Sequence, residues 1–285
     1  MNRSTTSHIL ELNLAMLLVS TSGVLGRYIS MPPPVTIWWR CVIAVLFLMI
    51  FCWWRKIDLR IHHKKDMGTL VIGGLLLGGH WITYFYALQH SNVAIGMLSL
   101  FTYPALTSLL EPLILKTRFR LSHILLGTMV LLGIYFLAPG LDLQNEYTKG
   151  IALGLISSLM YSLRNILLKH KAARYPGQML MLYQLVFFTA LGWPALLFMD
   201  TTQIVDQWPA TLTLALVTTA IGHTLFVMSF KHFSISTASI MSSSQPIYGI
   251  ILGMVFLSEI PGLNTVIGGS IIIATVIIES VRSYK

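Results

Sequence analysis

Apolar runs of about 20 residues, the length that crosses a ~30 Å hydrocarbon core, follow one another along almost the whole chain. Ten are read, at about 11–29, 34–53, 67–88, 92–115, 122–139, 149–169, 177–199, 209–231, 235–257 and 262–281. The polar segments between them are short, and none has room for a soluble domain. The pattern predicts an all-α polytopic membrane protein with ten transmembrane helices. The first run follows a basic residue, Arg3, but no A-x-A-like site comes after it, so it is read as a mature helix.

Polar and small positions inside these runs recur in order. Ala15, Ser20 and Arg27 are matched at one constant offset by Ala152, Ser157 and Arg164. Gly79-His80 is matched by Gly222-His223, Pro104 by Pro246 and Gly127 by Gly269. This succession predicts a five-plus-five duplication, with residues 1–145 as one five-helix repeat and 146–285 as the other. Because five is odd, the second copy enters the bilayer from the opposite face. Two inverted repeats are the architecture of secondary transporters, whose site lies at the repeat interface and opens alternately to each side.

Composition narrows the classes. The chain is 55% hydrophobic, with mean hydropathy +0.74 and only 10% charged residues. A soluble domain carries roughly 25% charge, so an ordinary soluble enzyme is excluded, and so is a disordered chain. Cys41 and Cys52 share one apolar run and form neither a disulfide framework nor a metal cage. The net charge of +9 is explained by its distribution. With the N-terminus in the cytoplasm, Lys149 is the basic residue that falls outside, and Arg27, Arg40 and Arg164 lie within spans. The rest of the 19 Lys+Arg fall inside, while Asp142, Glu146, Asp200, Asp206 and Glu259 fall outside. This positive-inside pattern predicts a multi-pass protein of the cell inner (plasma) membrane with both termini cytoplasmic. It reads as an insertion signal, so no nucleic-acid partner is expected.

Charges within spans are expensive and usually face protein or water. Arg27 and Arg164, as inverted counterparts, are read either as positive gates for a substrate carboxylate or as snorkelling side chains. For Arg40, beside Trp38 and Trp39, snorkelling is the preferred reading. His80 and His223 fall near the centres of spans 3 and 8. His80 and Tyr84 share a helix face at i,i+4, and an imidazole carries a proton or hydrogen-bonds a ligand near neutral pH. The alternative is polar glue between helices. Pro104 and Pro246 release the carbonyls of Leu100 and Ser242 from the helix ladder. Tyr103 and Gln245 are read as facing the cavity beside those breaks, and most of Ser242, Ser243 and Ser244 as bonding back to their own helix. Glu111 is expected to pair with Lys116 and Arg118. The pairs Gly74/Gly78, Gly150/Gly154 and Gly249/Gly253 are read as packing faces. Tyr161, Tyr183 and Gln184 are weaker cavity candidates; Gln184 holds the place in repeat two that Arg40 holds in repeat one. No P-loop is present, His62-His63 lacks metal-ligand spacing, and no catalytic triad or HExxH stands out. Catalytic residues, metals and cofactors are therefore not expected, and the chain is not read as an enzyme.

These residues resemble the drug/metabolite transporter superfamily and its EamA-type ten-helix members. The resemblance rests on the duplication, Trp39-Arg40, the run Tyr86-Ala87-Leu88 with Ala94, Tyr103-Pro104 with Glu111-Pro112, and Pro246 followed by Glu259. Thr117 stands where the first half of such proteins often has a carboxylate. The resemblance implies a central cavity lined by spans 1, 3, 4, 6, 8 and 9 and the export of amino acids or related metabolites. His80, Trp81 and Tyr84 are similar to the span 3 residues of aromatic amino-acid exporters. The expected substrate-binding set is Arg27, His80, Trp81, Tyr84, Tyr103, Arg164, His223 and Gln245. The expected partners are a small-molecule metabolite and the lipid bilayer, with protons as a candidate coupling ion and a monomer or homodimer as the assembly. The competing readings are export of nucleosides, cofactors or drug-like cations, a membrane enzyme or lipid-handling protein, and a non-transporting sensor.

Overall fold

A computed structural model of the chain describes residues 3–116, 121–137, 142, 144–229, 231–232, 242 and 244–283. Among these residues every regular element is helical. The helices are α1 (Arg3–Tyr28), α2 (Pro33–Trp54), α3 (Lys64–His90), α4 (Val93–Leu100), α5 (Tyr103–Leu115), α6 (Leu121–Leu137), α7 (Glu146–Ala172), α8 (Gly177–Gly192), α9 (Ala195–Phe198) and α10 (Ile204–Thr213). A π-helical segment, Leu214–His223, joins α10 to α11 (Thr224–Ser229). Two further helices, α12 (Ser244–Leu257) and α13 (Leu263–Ser283), follow. Six stretches are long and apolar enough to cross a membrane: Pro33–Trp54, Lys64–His90, Val93–Ile114, Glu146–Lys169, Gly177–Phe198 and Ile204–Ser229. Shorter apolar helices lie at Ile124–Leu137, Ser244–Leu257 and Leu263–Ile278. Thr117, Arg118 and Ser243 lie outside the described residues.

Prolines and hydroxyls decide where the long runs break. The run expected to be one helix over 92–115 is two. Asn92 caps the first by accepting from Ile95 N–H at 2.8 Å. Pro104 then stands in the first turn of α5, where a missing N–H costs nothing. The break is tied to α7. Ser162 Oγ donates to Tyr103 O at 2.9 Å, and Thr102 Oγ1 lies 2.8 Å from Ser158 Oγ. Pro194 likewise separates α8 from α9. In the π segment Thr219 Oγ1 donates to the carbonyl of Leu214, five residues back, at 3.1 Å. Wide turns of this kind concentrate at functional sites.

The helix ends are fixed by charge. At the start of α3, Asp66 is buried and accepts from Lys171 Nζ at the far end of α7 and from Tyr175 Oη (2.8 Å) in the turn after it. At the other end of the same antiparallel pair, His90 pairs with Glu146. Small residues let the helices approach. A Cβ on Gly74 would lie 2.6 Å from the backbone oxygen of Gln184 in α8, and one on Gly154 would lie 2.5 Å from Ser99 Cβ. The outward faces carry large apolar side chains such as Ile50, Trp53, Leu131, Tyr135, Val255 and Phe256. A soluble surface avoids so extended an apolar face; a bilayer requires one.

Candidate functional site

The polar residues of the interior converge where α1, α3, the α4–α5 break, α7, the π segment and the start of α12 meet. A closed cavity there is lined by His80, Trp81, Tyr84, Tyr103, His223 and Gln245. Val19 and Ser22 of α1, Leu100 and Phe101 at the break, and Tyr161 of α7 complete its wall. Water centres have only ≈ 10 Å³ of freedom inside it, room for about one water.

Aromatic rings set its shape. His80 lies between two tyrosines, with ring centroids 4.5 Å from Tyr161 and 6.3 Å from Tyr84, both stacked. Tyr103 meets Tyr161 edge-on at 4.8 Å, and Trp81 meets His223 at 5.2 Å. The hydrogen bonds fix one ring proton. Ser157 Oγ donates its single proton to His80 O at 2.8 Å. It is therefore the acceptor in its 2.7 Å contact with His80 Nδ1. His80 therefore carries a proton on Nδ1. Tyr103 Oη pairs with Ser242 Oγ at 2.7 Å across the interface between the two chain halves.

Of the eight residues expected from sequence, the fold brings six to this wall. Arg164 lies beside it and is fully buried. Its Nε donates to Gln184 Oε1 at 2.9 Å, its Nη1 to Asn165 Oδ1 at 3.1 Å, and its guanidinium stands 5.9 Å from the Tyr161 ring. Arg27 lies elsewhere, at the end of α1. Its Nε donates to Glu259 Oε1 at 3.0 Å and its Nη1 to the carbonyl of Gln89 at 2.7 Å. The carboxylate that matches Arg27 comes from the turn after α12, so this arginine has its counter-charge within the protein.

Two sequence readings change. Arg40 does not snorkel: it is 0% exposed, with its guanidinium carbon 3.9 Å above the centroid of Trp81. Its seven-residue distance from the start of α2 places it too deep to reach the interface, and the ring of Trp81 offers a nearer partner. Glu111 pairs with Lys169 of α7, because α5 packs along α7; of its two expected partners, Arg118 lies outside the described residues. Ser22 and Phe101 were not singled out from sequence. Ser22 lies one helical turn from Val19 on the same face of α1, and Phe101 ends α4 two positions before Tyr103. The sequence signals for Arg40 were its place within a span and its correspondence with Gln184, itself buried against Arg164.

Comparison with known proteins follows the same lines. Residues 7–138 and 148–281 each match the EamA-like transporter family. An uncharacterized transporter of Archaeoglobus fulgidus is 27% identical over 196 residues, 69% of this chain and 70% of that one. The transporter YxxF of Bacillus subtilis is 22% identical over 99% of this chain and 92% of its own. The pseudopaline exporter CntI of Pseudomonas aeruginosa is 21% identical over 93% of each. A solved crystal structure at 20% identity superimposes with a TM-score of 0.71 over 98% of both chains and so shares the fold. With both halves matched, the chain belongs to the EamA-like transporter family and is a polytopic membrane transporter, not an enzyme.

Proposed function

We propose that the protein is a secondary transporter of the cell inner membrane that exports amino acids or related small metabolites. Its halves, 1–145 and 146–285, act as inverted five-helix repeats that open the central cavity alternately to each face. Both termini are cytoplasmic in this reading, as the basic loops require. The substrate is held by His80, Trp81, Tyr84, Tyr103, His223 and Gln245, with Arg164 beside the pocket and Arg27 at its outer approach. The chain works as a monomer or a homodimer, and protons are the candidate coupling ion.

One observation carries this reading. A closed pocket of histidines and aromatic rings lies where elements of both halves meet, which is where alternating access needs its site. A rigid aromatic wall suits a small metabolite with an apolar or planar body, and imidazole and phenol groups suit its polar head. The test is uptake of a labelled amino-acid and metabolite panel into liposomes containing the purified, folded protein. Movement of one member, abolished by H80A and by Y103F, is the expected result; turnover or binding without flux of any member would overturn it. The alternative within transport is export of nucleosides, cofactors or drug-like compounds. A cationic drug is the least suited, because the charges buried near this pocket, Arg40 and Arg164, are both positive.

A further inference from the structure

The structure assigns to Arg40 a role that the family match does not give it. We propose that Arg40, with Trp81 and His223, forms an anion-binding corner of the central pocket, and that the transported molecule presents a carboxylate or a similar oxyanion to it. The proposal deepens the transport reading and rests on it.

Four polar atoms in one contiguous cluster are buried without a partner: Arg40 Nη1 and Nη2, Trp81 Nε1 and His223 Nδ1. The three residues touch in sequence of depth. The Arg40 guanidinium lies over the Trp81 ring at 3.9 Å, and the Trp81 ring meets His223 at 5.2 Å. Trp81 and His223 belong to the pocket wall. Arg40 is anchored from the other side, through Nε to the Thr219 hydroxyl, which the wide turn of the π segment presents. That single bond fixes the guanidinium plane and leaves its two terminal NH₂ groups unused.

Buried polar groups are nearly always hydrogen-bonded, and each exception calls for a reason. Here the exception includes a full charge. Among the described residues no carboxylate pairs with Arg40 or with Arg164. By contrast Arg27, Lys169 and Lys171, nearer the helix ends, each have an acidic partner. The interior around the pocket is thus left with two uncompensated positive charges in a medium of low dielectric, where unpaired charge is most costly. A substrate bringing one negative charge to Arg40 lowers that cost. A planar guanidinium fork is the group best matched to a carboxylate's two oxygens, and the indole N–H adds a further donor. The aromatic rings around the remaining wall then receive the body of the molecule.

The experiment is thermal unfolding of the purified full chain in detergent, titrated with three probes sharing one body. These are 3-phenylpropanoate, 3-phenylpropanol and 3-phenylpropylamine, whose head groups are anionic, neutral and cationic. A ligand that binds the native state raises its apparent stability with concentration. The expected result is a saturable rise in Tm with the propanoate and none with the alcohol or amine. R40Q should abolish that rise, while K149Q, at the exposed end of α7, should keep it. If R40Q does not fold, R40K carries the test: it keeps the charge without the fork, and the acid should still be selected, at weaker affinity. An equal response to the amine or the alcohol would overturn the anion corner and leave the transport reading standing. So would no response to any probe, or an unchanged response in R40Q or R40K. Liposome flux tests the transport reading independently.

Discussion

Arg27 and Glu259 stand 232 positions apart in the chain, and their side chains meet at 3.0 Å. Around this pair four helix ends are gathered. Arg27 Nη1 donates to the carbonyls of Leu88 and Gln89 near the end of α3. Glu259 Oε2 accepts the Val93 N–H at the start of α4 at 2.8 Å, a carboxylate at a helix N-terminus. The opposite end of the bundle has a counterpart. Lys169 of α7 pairs with Glu111 of α5, again joining a residue before position 145 to one after it. Both pairs are closed in the state that holds a pocket of about one water.

For the first pair, E259Q keeps a group able to accept from Val93 and removes the charge. The side chains are 35% and 22% exposed, so the loss in stability should be small, about 1 kcal/mol or less. The larger effect is on access. In the proposed orientation this pair faces outward, and with it weakened, S22C at the pocket wall, in a background without Cys41 and Cys52, should react faster with a thiol reagent added from outside. Equal labelling rates in E259Q and its parent would refute a gating role for this pair.

K169Q should act in the reverse sense. It releases Glu111 at the other end, so the same S22C should gain reactivity from the cytoplasmic side and not from outside. Labelling of sealed right-side-out and inside-out vesicles separates the two. A shift of both variants toward the same side would show that the pairs are not opposed gates.

At His80, S157A removes the acceptor of the Nδ1–H and leaves that buried donor short of a partner. The expected cost in unfolding free energy is about 1–3 kcal/mol, with weaker substrate binding at unchanged fold. H80A also opens a void between Tyr84 and Tyr161 and should cost more, about 2–5 kcal/mol. Chemical unfolding of the purified variants measures both, and a more stable H80A would contradict the packed, hydrogen-bonded ring.

Two glycines of α3 give a contrast. A methyl at Gly74 meets the backbone of α8 at 2.6 Å, whereas one at Gly68 meets nothing within 4 Å. G74A must push the helices apart and should cost about 1–3 kcal/mol. G68A should stabilise by up to about 1 kcal/mol, through helix propensity alone. Similar melting temperatures for the two would argue against the close α3–α8 contact.

Which features were legible beforehand follows from the range of the forces involved. Apolar run length and basic loops are local and additive along the chain, so helices and the polar residues worth watching were visible, and six of those residues share one wall. The glycine pairs were visible too, since small-xxx-small spacing is set by the pitch of a single helix; Gly154 meets Ser99 and Gly249 meets Met97. The length and apolar character of each span were less legible. The described helices include six that clearly qualify, whereas Ile124–Leu137, Ser244–Leu257 and Leu263–Ile278 are apolar but shorter.

The partners of charges were not legible at all. Glu111 lies five residues before Lys116 in sequence yet pairs with Lys169, and Arg40 lies beside two interfacial tryptophans yet turns inward onto Trp81. A helical membrane protein with basic loops and a few polar residues in its interior is readable from residue order, because burial in lipid constrains every residue of a run alike. Which arginine holds a counter-charge and which is left without one is settled by how the helices pack. That choice depends on distances of a few ångströms between helices far apart in the chain, and Coulomb and hydrogen-bond energies change steeply over that range.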